Sequence, residues 1–185
     1  MSPPGHVNQI FLSLGSNIEP EQHLQQVLQE LAQLGSVRAV SSVYESSALG
    51  RADQPPYLNA VVHLEAEVDA RDLICRLIPE LEGRLGRVRT ADKYAPRPID
   101  IDLLLFNEEV LEVAGHSIPS PEIRERAFVA WPLAEIAPTR VHPREGRTFR
   151  EIAKAFDLRA LRRRADIQLT AGRLGAESGS EGRPT

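Results

Sequence analysis

The sequence predicts an α+β protein, a ferredoxin-like βαββαβ sandwich with extra C-terminal helices. Three observations carry that prediction. Four apolar or β-branched segments of strand length occur, and the first and third are each followed by a stretch whose apolar residues recur at helical spacing. Glycines and capping residues stand where those helices should stop and start. Two such β-α-β units bury their apolar surface as one sheet with helices on one face.

The first segment, Ile10-Phe11-Leu12-Ser13-Leu14, reads as a buried strand ending in the turn Gly15-Ser16-Asn17. Asn17 or Glu19 is placed to cap the next helix, with Pro20 in its first turn. Leu24, Val27, Leu28, Leu31 and Leu34 share one face of that helix, and Gly35 stops it. Residues 37–44 and 59–68 read as the next two strands, joined by a loop over 46–56. Asp69 caps a second helix with a core face of Leu73, Leu77, Ile78, Leu81 and Leu85, closed by Gly86. Pro79 falls inside it, and an interior proline costs about 3 kcal/mol unless the helix bends, so a kink is expected there. Residues 99–106 form the strongest strand, followed by a tight turn at Asn107-Glu108-Glu109 into residues 110–113. Two short helices follow, over 128–136 and 148–156. The folded domain is expected over residues 7–158, with 159–185 a largely disordered extension in which Arg162-Arg163-Arg164 is a solvated face.

Composition narrows the function. The 185 residues include a single cysteine, Cys75, which rules out an internal disulfide and a cysteine-based zinc site. No run of about 18 apolar residues occurs, so no membrane span is expected, and the first residues lack a secretion signal. A cytoplasmic monomer acting on small molecules is the expectation. The net charge of −4 argues against nucleic-acid binding. Residues 84–97 depart from it, with five basic residues against Asp92 alone, a local +4 that leaves −8 for the rest. A compact cationic segment in an acidic chain suits a small anionic ligand.

Just downstream, Asp100 and Asp102 are two apart on a strand, so they share a face about 6–7 Å apart, with Leu104 and Phe106 expected further along it. Two like charges at a core boundary call for a cation, and magnesium takes a few carboxylate oxygens while sharing its other positions with phosphates. Arg87, Arg89, Lys93 and Arg97 lie in a Gly-, Ala- and Pro-containing loop that suits a lid over a triphosphate. No P-loop or protein-kinase signature is present, and the five histidines, including His63, His116 and His142, have no metal-ligand spacing and read as surface or structural. Asn59 offers a donor and an acceptor to the edge of a heterocyclic amide, and Tyr57 and Phe128 offer faces to a flat ring.

Six runs carry a resemblance: Leu14-Gly15-Ser16-Asn17, Asp53-Gln54-Pro55-Pro56-Tyr57-Leu58-Asn59-Ala60, Gly86-Arg87-Val88-Arg89, Pro96-Arg97-Pro98-Ile99-Asp100-Ile101-Asp102, Arg126-Ala127-Phe128, and Trp131-Pro132-Leu133-Ala134-Glu135-Ile136-Ala137-Pro138. In this order, over about residues 8 to 157, the chain resembles the 6-hydroxymethyl-7,8-dihydropterin pyrophosphokinase family of folate biosynthesis. The resemblance implies transfer of the β,γ-pyrophosphoryl unit of ATP to the pterin hydroxymethyl group, with AMP released. It implies two magnesium ions on Asp100 and Asp102, and Arg87 and Arg97 as catalytic phosphate contacts. Glu82, Arg89, Tyr94, Ile101, Ser120 and Arg126 would join Arg97 around ATP, while Ser46, Ser47, Leu49, Tyr57, Asn59 and Phe128 would hold the pterin. Departures from the family pattern are Pro79 for Gln, Ser120 for His, Tyr94-Ala95 for Trp-Gly and Ser46-Ser47 for Thr-Pro.

Overall fold

The first apolar run forms β1 (Asn8–Ser16), which pairs antiparallel with β4 (Tyr57–Ala66) along its whole length and with β5 (Asp100–Phe106) on its other side. The computed structural model describes residues 6–47, 54–88, 92 and 95–171. Beyond β4 lie β2 (Ser36–Val40) and β3 (Tyr44–Ser46), and β8 (Arg162–Arg163) closes the sheet in the order β5-β1-β4-β3-β8. The third strand thus begins and ends two residues earlier than the expected 59–68. The single strand expected over 37–44 is broken between β2 and β3. There Ser41 replaces a main-chain carbonyl in the ladder, its Oγ accepting from the Val61 N–H at 2.9 Å.

Strand alternation then assigns the core. Ile10, Leu12, Leu14, Val62 and Leu64 pack with α1 (Pro20–Leu34) and the second helical segment. Phe11 and Val61 face the other way, onto α5 (Ala127–Ile136) and α6 (Phe149–Ala153). Helices therefore cover both faces of the sheet, not one, which is why β1 and β4 read as nearly continuous apolar runs. Thr148 and Glu151 form a reciprocal cap at the start of α6.

Asp69 caps α2 (Ala70–Asp72) as expected, accepting from the Asp72 N–H at 2.8 Å. The chain then widens into a π-helical turn, Leu73–Leu77, before α3 (Ile78–Arg84). The Ile78 N–H reaches back five residues to the Leu73 carbonyl. Pro79 has no N–H to donate and its ring would crowd the carbonyl four residues earlier, so the wide turn takes the place of the expected kink.

Gly35 ends α1 where the chain passes closest to β4. A Cβ there would lie 2.1 Å from the Glu65 carbonyl oxygen and 2.8 Å from the Ala66 Cβ. Gly35→Ala is expected to destabilise the fold by about 3 kcal/mol or more. A urea midpoint equal to the wild type would contradict that packing.

One register shift matters for the site. Leu12 pairs with Leu103 but Phe11 with Leu105, so Leu104 is an extra residue in β5. The Leu104 carbonyl accepts instead from the Ser120 N–H at 2.9 Å. Leu104 and Leu105 both enter the second core, and Phe106 is turned into the first. Phe106 is thus not on the face of the two aspartates, because the bulge reverses the alternation after it.

After β5, a hairpin of β6 (Leu111–Val113) and β7 (His116–Ile118) leads to α4 (Glu122–Glu125). The segment expected as a largely disordered extension departs from that reading over 159–171. Arg163 pairs with Tyr44 across β8 and β3, and Arg164 bonds Glu45 at 3.1 Å and Asp166 at 2.7 Å. Ile167 and Leu169 pack onto the first core. Arg162 and Arg163 are exposed as expected, while Arg164 is held in ion pairs that a solvated face would lack. Residues 172–185 lie outside the described residues.

Candidate active site

The paired aspartates stand near the start of β5, an edge strand of the sheet. Asp102 is opposite Ser13 and Asp100 is opposite Gly15, so both carboxylates project from the same face. Asp100 is the hub: its Oδ1 accepts from Arg87 Nη1 at 2.5 Å and its Oδ2 from Arg97 Nη1 at 2.7 Å. The same Arg87 nitrogen also donates to Glu82 Oε1, and that oxygen accepts from the Ile101 N–H at 2.9 Å. Glu82 is 3% exposed, a buried carboxylate that fixes Arg87 and the start of β5 together.

Asn17 does not cap α1. Glu19 takes that place with a left-handed backbone (φ 41°) and no side-chain cap. Asn17 instead clamps two loops onto the site. Its Oδ1 accepts from the Arg97 N–H at 2.8 Å, its own N–H donates to the Arg97 carbonyl at 3.2 Å, and its Nδ2 donates to Gln54 Oε1 at 3.3 Å. The Leu-Gly-Ser-Asn run carried that signal, but local capping propensity masked it.

Burial, aided by the Asp100, Glu122 and Glu82 carboxylates and opposed by Arg87, pushes the Asp102 carboxyl up to about 7. Burial also raises Glu122, which sequence reasoning did not single out. The folded state thus holds the Asp102 proton more tightly than the unfolded chain, whose aspartates titrate near 3.9. Ionising Asp102 costs the fold nothing below about pH 4 and progressively more up to about pH 7. Asp102→Asn removes that cost. Without divalent cations, its stability relative to wild type is expected to rise between pH 5 and pH 8, and an unchanged difference in urea midpoints would contradict this.

Gly15, opposite Asp100 on β1, stands close to Asn59 and Tyr57. A Cβ added at Gly15 would lie 3.4 Å from Asn59 Oδ1, 3.8 Å from Tyr57 Cδ1 and 4.0 Å from Asp100 Cβ. Asn59 is buried, and its Nδ2 donates to the Tyr44 carbonyl at 3.2 Å and to Ser46 Oγ at 3.0 Å. Burial raises the Tyr57 phenol, whose hydroxyl engages Arg97. Ser46 thus contacts Asn59, whereas Ser47 is exposed and Phe128 packs half-buried on the second core. Arg126 precedes α5 beside Glu122, and its Nε is buried without a hydrogen-bond partner among the described residues. Ser120 is nearly buried, and its Oγ accepts from the Glu122 N–H at 3.3 Å. Leu49, Arg89 and Tyr94 lie outside the described residues.

A cavity of about 370 Å³ runs along the outer edge of β5. Glu82, Arg87, Arg97, Asp100 and Asp102 line its charged part, and Ile74, Ile78 and Leu103 its apolar part. His116, read from sequence as surface or structural, also lines it.

Opposed carboxylates and guanidinium groups beside an apolar slot suit phosphate chemistry on a compound with an apolar part, the class of work done by a phosphoryl-group transferase. The chain belongs to the 7,8-dihydro-6-hydroxymethylpterin-pyrophosphokinase family, whose model matches residues 11–138. It is 36% identical over 160 residues to the 2-amino-4-hydroxy-6-hydroxymethyldihydropteridine pyrophosphokinase of Pseudomonas aeruginosa, covering 85% of this chain and 97% of that one. It is 39% identical over 132 residues to the Bacillus subtilis enzyme of the same name, covering 70% of this chain and 78% of the relative. A crystal structure of Plasmodium falciparum HPPK-DHPS with pterin and p-hydroxybenzoate shares the fold at a TM-score of 0.66 and 14% identity. That match covers 84% of this chain, which spans 42% of the longer protein.

Proposed function

We propose that this protein transfers the β,γ-diphosphoryl unit of ATP to the hydroxymethyl group of 6-hydroxymethyl-7,8-dihydropterin, releasing AMP. The observation that carries the reading is the grouping around Gly15 of Tyr57 and Asn59 with Asp100, which Arg87 and Arg97 hold from the other side. A flat pterin held there presents its substituent to the phosphate end of the cavity. Asn59 Oδ1 suits the donor edge of the heterocycle, and Tyr57 and Phe128 suit its faces.

The residues present fit magnesium. The donors are hard oxygens, and the neighbouring carboxylates that, after burial, push Asp102 up mark an excess of negative charge that a divalent cation would relieve. Asp100 and Asp102 would hold two ions, which supply charge neutralisation and Lewis acidity across the ATP phosphates. Phosphate and water oxygens would complete the set.

Arg87 and Arg97 hold Asp100 in ion pairs and are placed to exchange it for phosphate oxygens. Their guanidinium groups stabilise charge on the transferring unit, and the buried Nε of Arg126 is a further donor. Arg89 and Tyr94 would close over the phosphates, Ser120 and Glu82 would support the ATP side, and Ile101 and Leu103 would flank the base. Ser46, Ser47 and Leu49 would complete the pterin side. The strand order β5-β1-β4-β3 supports a ferredoxin-like sandwich, here with a third layer of C-terminal helices. We read residues 7–171 as one domain working as a cytoplasmic monomer on small molecules, with neither nucleic acid nor membrane as partner.

Chromatography of ATP, magnesium and the hydroxymethyl dihydropterin incubated with the protein tests the reading. It expects AMP only when the pterin is present. No AMP, or AMP formed without the pterin, would overturn it.

A further inference from the structure

What Asn59 can offer a heterocycle depends on how its amide is turned. Its Nδ2 donates to the Tyr44 carbonyl and to Ser46 Oγ, both on β3, which leaves its Oδ1 on the side of Gly15. Tyr57 stands opposite Ser46 across the same ladder. The strand that fixes this geometry is only three residues long, and so short a strand held along one edge alone frays.

The other edge of β3 is covered by residues 162–170, outside the stretch 11–138 that matches the family. Arg162 and Arg163 pair with Glu45 and Tyr44. The Arg164 N–H donates to the Val43 carbonyl at 2.9 Å, and Arg164 Nη1 donates to Glu45 Oε2 at 3.1 Å. Asp166 and Glu21 of α1 accept from Nη2 of the same guanidinium, at 2.7 Å and 3.4 Å. The chain then runs back to α1. Ile167 and Leu169 pack on the first core, Gln25 Nε2 donates to the Thr170 carbonyl at 2.7 Å, and the Thr170 N–H donates to Gln25 Oε1 at 3.2 Å. Among the three adjacent arginines the Arg164 side chain is 19% exposed, against 73% for Arg162 and 64% for Arg163, so Arg164 is the one that fixes this segment.

We infer that Arg164 is a positioning residue for the pterin site: it clamps a C-terminal strap, residues 162–170, onto β3, and so keeps Ser46 and the Tyr44 carbonyl where they orient Asn59. The inference rests on the proposed pterin site at Asn59 and Tyr57. Glu135 of α5, which accepts from the Tyr44 hydroxyl at 3.0 Å, holds β3 independently, so loss of the clamp loosens the strand without unfolding the sheet. Ligand affinity scales with the fraction of molecules in the competent state, so a loosened β3 weakens pterin binding. Two strands, β4 and β1, separate β3 from β5, so the arginine cluster at Asp100 is insulated from the strap.

The test compares wild type with Arg164→Ala, Glu45→Gln and an exposed control, Arg159→Ala. Calorimetry measures binding of magnesium α,β-methylene-ATP, and then of 6-hydroxymethyl-7,8-dihydropterin to the nucleotide-loaded protein. Steady-state AMP formation gives kcat and a KM for each substrate, and hydrogen exchange reports protection of residues 43–46. Arg164→Ala should weaken pterin binding and raise KM for the pterin about tenfold, with faster exchange over 43–46. Nucleotide binding, KM for ATP and kcat at saturating pterin should stay within about twofold, because bound pterin selects the ordered strand. Glu45→Gln should move the pterin terms the same way by about threefold, since a neutral acceptor keeps a weaker bond to Arg164. Arg159→Ala should match wild type. Unchanged pterin binding in Arg164→Ala would overturn the inference. So would equal losses for pterin and nucleotide, which would mark a general loss of fold. If wild type binds the pterin without forming AMP and these binding differences appear, the proposed reaction fails while the role of Arg164 stands. If wild type binds no pterin, both fall.

Discussion

Asp102→Ala is expected to give a folded protein whose pterin-dependent AMP formation is lower on the order of a thousandfold. The expectation comes from the asymmetry between the two aspartates. Asp100 is held by Arg87 and Arg97, whereas among the described residues Asp102 has no salt bridge, and burial with the neighbouring carboxylates works against its ionised form. A carboxylate that costs the fold and braces nothing nearby is explained by a cation it receives in use. Its removal therefore separates activity from stability, and near-normal turnover in Asp102→Ala would show the metal assignment to be wrong. Removing Asp100 is the less clean experiment, because Arg87 and Arg97 would both lose their partner.

Arg97→Ala is expected to lower kcat about a hundredfold while changing KM for ATP only a few-fold. Arg97 is positioned from both ends. Its backbone is clamped by Asn17, and its guanidinium is held on Asp100 at 2.7 Å. Pre-positioned charge acts mainly where negative charge develops, so the loss should fall on the transition state. Arg97→Lys should not restore the rate, because an ammonium cannot reproduce the planar fork that reaches Asp100 and phosphate together. A raised KM with unchanged kcat would instead assign Arg97 a plain binding role.

The sequence made the local parts of this architecture legible. The 3.6-residue spacing of Leu24, Val27, Leu28 and Leu31, the stop at Gly35 and the cap at Asp69 depend on near neighbours, and each appears as expected. The pairing of Asp100 with Asp102 depends only on strand alternation, and it too survives. Features set by distant partners did not read out. The bulge that turns Phe106 away from the aspartates exists because Phe11 and Leu12 impose a register on β5. Arg164 looks solvated until Glu45, over a hundred residues earlier, is brought beside it. Asn17 resembled a helix cap because its partners, Arg97 and Gln54, are far along the chain. His116 carried no motif at all; its position follows from a hairpin tip folding over an edge strand.

Phosphorus-31 NMR of the reaction mixture tests the central claim most directly, since it reports which phosphorus is attacked. The account predicts that ATP disappears as AMP and a pterin diphosphate ester grow together in equal amounts, and that Asp102→Ala shows neither. Formation of ADP with a pterin monophosphate, or of ADP with inorganic phosphate, would contradict it.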